Sequence, residues 1–486
     1  MTTKTLQSPR RPRRPTAHRS SSGLTLIELM IAMTISLLIL AALVSVFVNM
    51  SRSTNEMAKT NSLIENGRFA IQLLQDELVH AGYWGGYVPQ FDNLSFTGVP
   101  GDAPTAVPDP CAAYSTWDST YRINLLGTPV QAYDTLPAGA GCLAQLAQRA
   151  NTDVLVVRHA ETCVPPVVPG VGSCDAAVAG RLYLQVSTCA AELNAGTAQL
   201  ATSNTITLAA SASSVNNAYV GLSIRTISGV GLGQTRTISA YTGSSKLATV
   251  STPWTVIPNG TTTYAFDYML GTGTYPLHTR NCVGTGIPAT LPLVTPGTVA
   301  DIRRWVTNIF YITNVVNPDQ PTQVIPTLVR SQFDFANGAL AQQAPLAMID
   351  GIDAFRVELG VDSISKLPPA TVNYTQAITW QDPNNQVLAT NRGDGAPDSF
   401  VHCTTAAPCT AAQLANVVAV RIYVLARSRD TTPGYTDTKT YCLGQTNTDG
   451  SCPAANLIAA ANDQYKRHVF SSSVRLINIS GRRETP

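Results

Sequence analysis

The chain has 486 residues, of which 44% are hydrophobic and only 13% are charged, with a formal net charge of +2. This length allows one large or two ordinary domains, and so small a charge gives no support to nucleic-acid binding. Its ten cysteines are even in number and form no CxxC pair, which is typical of an exported, disulfide-bonded protein and excludes the common zinc spacings.

The first predicted element is an apolar helix that follows a basic leader. Residues 1–23 contain six Lys or Arg residues and no acidic residue, so the positive-inside rule keeps them cytoplasmic and predicts that the rest of the chain is exported. The small residues 20–23 stand before the apolar run. A cut after Gly23 would therefore remove only the leader, leave a free amine on Leu24, and take six positive charges away, changing the formal net charge from +2 to −4.

One carboxylate, Glu28, lies inside an apolar stretch, residues 24–48, that is long enough to span a bilayer. Its hydroxyl residues Thr25, Thr34 and Ser36 are expected to donate to backbone carbonyls. A charge at membrane depth is costly unless it finds a partner, which makes Glu28 a candidate functional residue. The alternative is a simple signal anchor in which Glu28 lies at the membrane interface.

Gly23, Leu24 and Glu28 together resemble the class III leader of type IV prepilins. The family most often has Phe where this chain has Leu24. The resemblance implies removal of residues 1–23 by a prepilin peptidase and N-methylation of Leu24. In a filament, Glu28 could then neutralise the α-ammonium of Leu24 on a neighbouring subunit and so set the register of the two subunits.

From residue 49 the helix becomes amphipathic. Apolar residues recur at a spacing of three to four and predict a helix that lies on a globular core: Leu63, Ile64, Ile71, Leu74 and Leu78. Gly82, Gly85 and Gly86 are expected to end it, so the predicted helix covers residues 24–82.

Three further segments resemble PilW-type minor pilins. They are residues 66–83 at the helix exit, the run VVAVRIYVLAR at 417–427, and residues 467–478 near the C-terminus. This resemblance implies a minor pilin rather than a major subunit, in a complex with other minor and major pilins that primes the pilus and lies at its tip, often with a large adhesin. It also implies an inner-membrane protein with its C-terminal part in the periplasm, later incorporated into the extracellular pilus.

The rest of the chain predicts a mainly antiparallel β head built on the helix, so the fold class is α+β. Strand candidates, several with two-residue alternation, are 154–158, 182–186, 305–312, 355–359 and 417–426. In the last of these, Val418, Val420, Ile422 and Val424 share one face. Short helices are predicted near 142–150 and 454–464. The head comprises residues 83–194 and 283–486.

Residues 195–282 have a different composition, rich in Thr, Ser and Gly, and predict an inserted small β module. Its strand candidates are 205–208, 222–227, 235–239, 247–250 and 264–268. The run at 233–243, with Trp254, is similar to a small module of phage tail and bacterial surface proteins. The alternative is a decorative β insertion without binding activity.

Short loops containing Pro or Gly favour three local disulfides: Cys163–Cys174, Cys403–Cys409 and Cys442–Cys452. A fourth, Cys189–Cys282, is expected to close the base of the module. Connectivity is not determined by the sequence, and the alternative is that several cysteines are free and buried.

Nothing in the sequence predicts catalysis or a cofactor. The histidines show no HExxH or paired metal-ligand spacing, and neither a GxSxG elbow nor a Walker loop occurs. The acidic run 391–398 around Asp394 could offer oxygen ligands to calcium, but it lacks the twelve-residue pattern with a terminal Glu, so an ordinary Asp-Gly turn is favoured. No metal site is predicted.

Two other classes share part of this pattern. A type II secretion pseudopilin of the J kind would have the same leader and helix, but such proteins are normally less than half this length. A membrane-anchored enzyme or surface adhesin would use the helix only as a tether and would not require Gly23 or Glu28 at these positions. The prediction is therefore a structural assembly subunit, a minor pilin.

Overall fold

The computed structural model describes residues 25–96, 98–135, 148–166, 174–186, 195–273, 275, 277, 300–317, 320–366 and 370–484. The chain divides into two compact units, Met1–Ala58 and Lys59–Pro486. One helix among the described residues, α1 (Leu26–His80), is long and apolar enough to span a membrane. In the first unit its side chains from Thr25 to Asn55 are exposed, as a lipid-facing segment requires.

In the second unit α1 buries one face in the head core. Its buried residues are Leu63, Gly67, Ala70, Leu74 and Leu78, which confirms the predicted amphipathic half, and Ile64 and Ile71 pack beside them. The helix ends at His80, two residues before the predicted end. Gly82 follows with a φ of 73°, a left-handed conformation that glycine adopts without strain.

A large antiparallel sheet forms most of the head. Its strands in chain order are β1 (Val130–Tyr133), β2 (Val154–Ala160), β3 (Tyr183–Val186), β4 (Ala195–Thr197), β5 (Leu200–Ala201), β6 (Thr205–Thr207), β7 (Leu222–Ser228), β8 (Thr235–Thr242), β9 (Leu247–Val250), β10 (Thr263–Gly271), β11 (Ile302–Asn317), β12 (Gln320–Ala336), β13 (Ala339–Gln342) and β14 (Leu346–Asp350). The spatial order is β1-β2-β11-β3-β10-β7-β8-β9-β6-β5, with β12 beside β11, β13 and β14 beside β12, and β4 beside β10.

A second, four-stranded sheet packs on α1. Its order is β18 (Ser399–Val401), β15 (Ile352–Val361), β19 (Val417–Arg427), β22 (Arg467–Arg475). The predicted face of β19 is buried against the helix, and the residues that form it are Val418, Val420, Ile422 and Val424. The opposite face is partly covered by a two-stranded sheet, β20 (Tyr441–Cys442) with β21 (Leu457–Ile458). A fourth small sheet pairs β16 (Trp380–Asp382) with β17 (Val387–Ala389).

The predicted short helices are wrong where the structure describes them. Near 454–464 there is only a single 3-10 turn, Ala454–Asn456, followed by β21. Residues 142–147 lie outside the described residues, and Gln148 forms a bridge with Thr313 rather than a helical turn. Three short helices were not predicted: α2 (Ser119–Gly127), α3 (Ala411–Ala415) and α4 (Ile477–Arg483). Helices this short have little periodicity to detect, and tertiary packing stabilises them.

The strands of the predicted module are continuous with the head sheet. Strand β10 pairs with β4 and β7 of the module and with β3 of the head. An extra residue on β10 between Phe266 and Met269 shifts its register against β7. Before this bulge Tyr264 and Phe266 enter the core of the module. Near its end, Tyr268 and Leu270 enter a head core instead, so β10 belongs to both parts.

Candidate processing and assembly site

The N-terminus of α1 is capped by Thr25 and Glu28, which hydrogen-bond to each other reciprocally. The carboxylate Oε2 of Glu28 accepts hydrogen bonds from the backbone N and from Oγ1 of Thr25, both at 2.9 Å, and the backbone N of Glu28 donates to Thr25 Oγ1 at 3.3 Å. This is a capping box. The expectation that Thr25 bonds a carbonyl is wrong, because its hydroxyl donates to Glu28, whereas Thr34 does bond the carbonyl of Ile31 at 2.9 Å.

The capping box satisfies hydrogen bonds of Glu28, and among the described residues no cation pairs with its charge. The carboxylate is held at the positive end of the helix dipole, which is a favourable place for an anion. Both residues are exposed in the subunit, so the carboxylate is open to a cationic partner from outside. The Thr-x-x-Glu spacing of Thr25 and Glu28 is the signal that could have revealed this cap in the sequence. Gly23 and Leu24 lie outside the described residues.

Gly67 lets α1 approach strand β22 closely. A Cβ atom added at this position would overlap the ring of Phe470, and Gly67 itself is buried. Glycine in a helix interior normally costs about 0.5–1 kcal/mol relative to alanine. The glycine is tolerated because the space that a side chain at position 67 would fill is occupied by the ring of Phe470.

The Gly67→Ala substitution should therefore destabilise the head although helix propensity favours alanine. Overpacking a filled core costs about 1–3 kcal/mol, which outweighs the propensity gain. Thermal unfolding of the purified protein measures this, with exposed Arg68→Ala on the same turn as the control. Adding Phe470→Leu should restore part of the loss, because the smaller side chain frees space for the new methyl group. A higher midpoint for Gly67→Ala alone would contradict this account.

Glu77 connects α1 to the large sheet. Its carboxylate oxygens accept from Nδ2 of Asn308 at 2.9 and 3.0 Å, and they lie 3.5 Å from Nε2 of His159 and 3.9 Å from Nη1 of Arg330. Burial by itself would raise the pKa of Glu77. The hydrogen bonds from His159 and Asn308 and the charges of His159 and Arg330 outweigh burial, so the pKa lies below its usual 4.5.

Replacing Glu77 by Gln should destabilise the head at neutral pH and have little effect in acid. A lowered pKa in the folded state gives stability that is present above the unfolded pKa of 4.5 and is lost as pH falls through the folded pKa. We expect a loss of about 1.5–3 kcal/mol at pH 7, as for hydrogen bonds to a charged group. Urea unfolding at pH 7 and near pH 3 tests this, with exposed Asp76→Asn as the control. An equal loss at both pH values would exclude the charge as the cause.

The described cysteines are oxidised. The structure contains Cys163–Cys174, Cys403–Cys409 and Cys442–Cys452, the three local pairs that the spacing favours. Cys111 is also disulfide-bonded. The proposed pair Cys189–Cys282 lies outside the described residues and stays a prediction. Glu161 lies close to Cys163 and Cys174, but disulfide sulfurs are not thiolate ligands, so the group does not form a metal site.

The acidic run around Asp394 forms a turn. Asp394 Oδ1 accepts from the backbone N of Ala396 at 3.0 Å, and Asp398 Oδ2 accepts from the backbone N of Ser363 and Ile364 at 2.7 and 2.8 Å. Buried Asp362 accepts from the backbone N of Gly395 at 2.8 Å. Burial raises the pKa of Asp362 to about 6 although Arg483 and the backbone donors oppose it. These carboxylates are bonded to N–H groups and do not converge on a cation position.

The histidines contact structural partners in the described part of the chain. Nε2 of His402 lies 2.9 Å from Asp153 Oδ2, but its Nδ1 has no hydrogen-bond partner there. A His–Asp pair acts in nucleophilic catalysis only when the second ring nitrogen reaches a nucleophile. His80 Nδ1 is bonded to the carbonyl of Asp76 at 2.7 Å.

Two family models match the chain. Residues 309–478 match the type IV pilus-assembly protein W model, and residues 18–44 match the prokaryotic N-terminal methylation motif. No curated protein matches. Among solved structures, a type IV-like pilin from Thermus thermophilus is similar, with 16% identity over 36% of this chain and 70% of its own, at a TM-score of 0.16. So low a TM-score supports no argument about fold or function.

The two matched segments include the parts of the structure that carry the site. The methylation motif contains the capping box of Thr25 and Glu28, and the second match begins within β11 and ends within α4. Strand β22, which packs its Phe470 on Gly67, lies inside that match. A prepilin-type N-terminal motif is thus joined to a head segment that matches the type IV pilus-assembly protein W model, and over these residues the chain is similar to PilW-like type IV pilins.

Proposed function

We propose that this chain is a minor pilin that prepilin peptidase cuts after Gly23 and that takes part in priming the type IV pilus, at the filament tip. The observation that carries the proposal is the capping box, which presents an exposed Glu28 carboxylate, the fifth residue of the processed chain, that pairs with no cation among the described residues. In the assembled filament this carboxylate pairs with the α-ammonium of Leu24 on a neighbouring subunit. Such a pair forms only between correctly staggered subunits.

The surface of α1 in the head also supports contact with other subunits. The head core covers one face of the helix, and Phe69 on another face remains 58% exposed. It lines a groove of about 850 Å³ between α1 and β14, together with Leu73 and Asp350. An exposed aromatic residue beside a groove offers apolar area to a partner, which here would be another minor or major pilin in the inner membrane.

Processing is tested at the N-terminus of the membrane-extracted protein. We expect mass spectrometry to find Leu24 as the first residue, carrying a methyl group on its amine. Gly23→Glu should leave the leader attached, because a bulky charged residue replaces the smallest one beside the cut, while Ser22→Ala should be processed normally. An intact leader on the wild-type protein in piliated cells would refute the proposed cut.

Priming and location are tested in cells. Deleting the gene should lower the number of pili per cell and leave the level of the major subunit in the membrane unchanged. A tagged copy should be recovered with sheared pili, and gold labelling should mark filament ends. Normal pilus numbers in the deletion strain would exclude a priming role, and labelling along the whole filament would exclude confinement to the tip.

A further inference from the structure

A cleft lies between the segment that contains helix α2 and the strands of the β module. Its volume is about 570 Å³. Tyr114 and Arg122 line one side, Asn216 and Ser239 line the other, and Met269 of β10 lies between them. The two sides are in contact beside it, where Ser119 Oγ lies 2.6 Å from Thr252 Oγ1. The cleft plays no part in the processing and assembly functions proposed above.

Arg122 is buried in this cleft, and it has no carboxylate partner in the part of the chain that the structure describes. It is only 7% exposed. Its Nη1 donates to the backbone carbonyl of Leu270, and its guanidinium lies 5.5 Å from the ring centroid of Tyr114. Among the described residues, Nε has no acceptor, and neither a hydrogen bond from Nη2 nor an ion pair of Arg122 occurs. Outside the described residues, only Glu192 and Asp319 carry carboxylate side chains.

Two other buried arginines, Arg158 and Arg392, serve as a comparison for the hydrogen bonds of Arg122. Arg158 donates to the carbonyl of Thr128 at 3.0 Å and to Gln131, and Arg392 donates to three backbone carbonyls, among them those of Asn391 and Gln376. Each is held through both terminal nitrogens. Arg122 is held through one, and it lines an open cleft. A buried charge with unused donors costs stability, and a bound anion would compensate it.

We propose that this cleft binds an acidic saccharide, with Arg122 holding its carboxylate. Arg122 is the single charged residue among those that line the cleft, which fits one negative charge rather than a polyphosphate or a nucleic acid. The other polar lining groups are hydroxyls and amides, such as Ser239, Asn216 and Thr272, and these can exchange hydrogen bonds with sugar hydroxyls. The half-buried ring of Tyr114 offers an apolar surface to the C–H face of a sugar ring.

The test uses the mature full-length protein in a detergent without a sugar headgroup and measures the heat of binding of glucuronate. Glucose, acetate and phosphate serve as controls that lack the charge or the sugar ring. We expect glucuronate to bind at least about tenfold more tightly than each of them, because only it engages both kinds of contact. Absence of glucuronate binding would overturn the proposal, and equal binding of acetate or phosphate would exclude the saccharide.

Variants separate a binding role of Arg122 from a structural one. Arg122→Met should abolish glucuronate binding without lowering the thermal midpoint, since it replaces an uncompensated buried charge by an apolar chain of similar length. Ser239 is exposed at the rim, so its variants should fold normally. Ser239→Asp should weaken binding and Ser239→Lys should strengthen it, both by less at high salt. If Arg122→Met lowers the thermal unfolding midpoint and both Ser239 variants bind glucuronate as the wild type does, Arg122 has a structural role only and the proposal is wrong.

Discussion

Sheared pili from cells that carry Glu28→Ala should contain at least about tenfold less of this chain than wild-type pili, since removing one partner of a buried ion pair costs about 3–5 kcal/mol. Leader cleavage and membrane insertion should continue, because a helix without the charge is more compatible with lipid. The measurement is the ratio of tagged protein in the pilus fraction to that in the membrane fraction. Unchanged incorporation would show that the Glu28 carboxylate is not needed for assembly.

Thr25→Ala is the matched control for Glu28. It removes the hydroxyl that Glu28 accepts from and weakens the helix cap by about 1 kcal/mol, but it keeps the charge. If the charge acts by pairing with a neighbouring subunit, Thr25→Ala should be incorporated nearly as well as the wild type. Equal defects in both variants would instead assign the effect to the cap and to the start of the helix.

Removing residues 195–282 in full should unfold the head, whereas removing 198–262 should not. The full deletion takes away Tyr268 and Leu270, which are 2% and 0% exposed and belong to the head core around Trp84 and Trp305. Losing one large core side chain costs about 3–5 kcal/mol, so losing the strand removes most of a typical stability of about 5–15 kcal/mol. We therefore still propose that residues 195–282 contain an inserted β module, but we assign strand β10 to the head as well as to the module.

The shorter deletion uses a junction that the sheet provides. Thr197 and Thr263 are directly paired in the β4–β10 ladder, so a two-residue Asn-Gly turn can join them as a hairpin. Tyr264→Thr and Phe266→Thr should accompany it, because these rings otherwise lose the module core that covers them. Circular dichroism and thermal unfolding compare the two deletions. Cooperative unfolding of the full deletion, or an unfolded short deletion, would contradict this division.

The sequence alone was sufficient for features that depend on neighbours along the chain. The spacing of Leu63, Leu74 and Leu78 predicted the buried face of α1, because a 3.6-residue period repeats whatever the helix packs against. Alternation predicted a strand at 417–426 and its buried face in the same way, and the observed strand is Val417–Arg427. The leader, the apolar run and Glu28 all lie within residues 1–48 and identified the N-terminal motif. The Thr25–Glu28 cap is equally local. It was not predicted, although the Thr-x-x-Glu spacing in the sequence is the signal for it.

Only the tertiary structure decided which distant residues meet. Glu77 pairs with His159, Asn308 and Arg330, and no local pattern specifies partners that come from three different strands. The buried position of Arg122 and the sharing of β10 between two cores depend on strand order and on one bulge. Strand order is set by the combined burial of many side chains, and similar alternating strands can pair in several orders. Periodicity identifies the face that a strand buries, whereas the neighbour that covers this face is decided by the packing of the whole head.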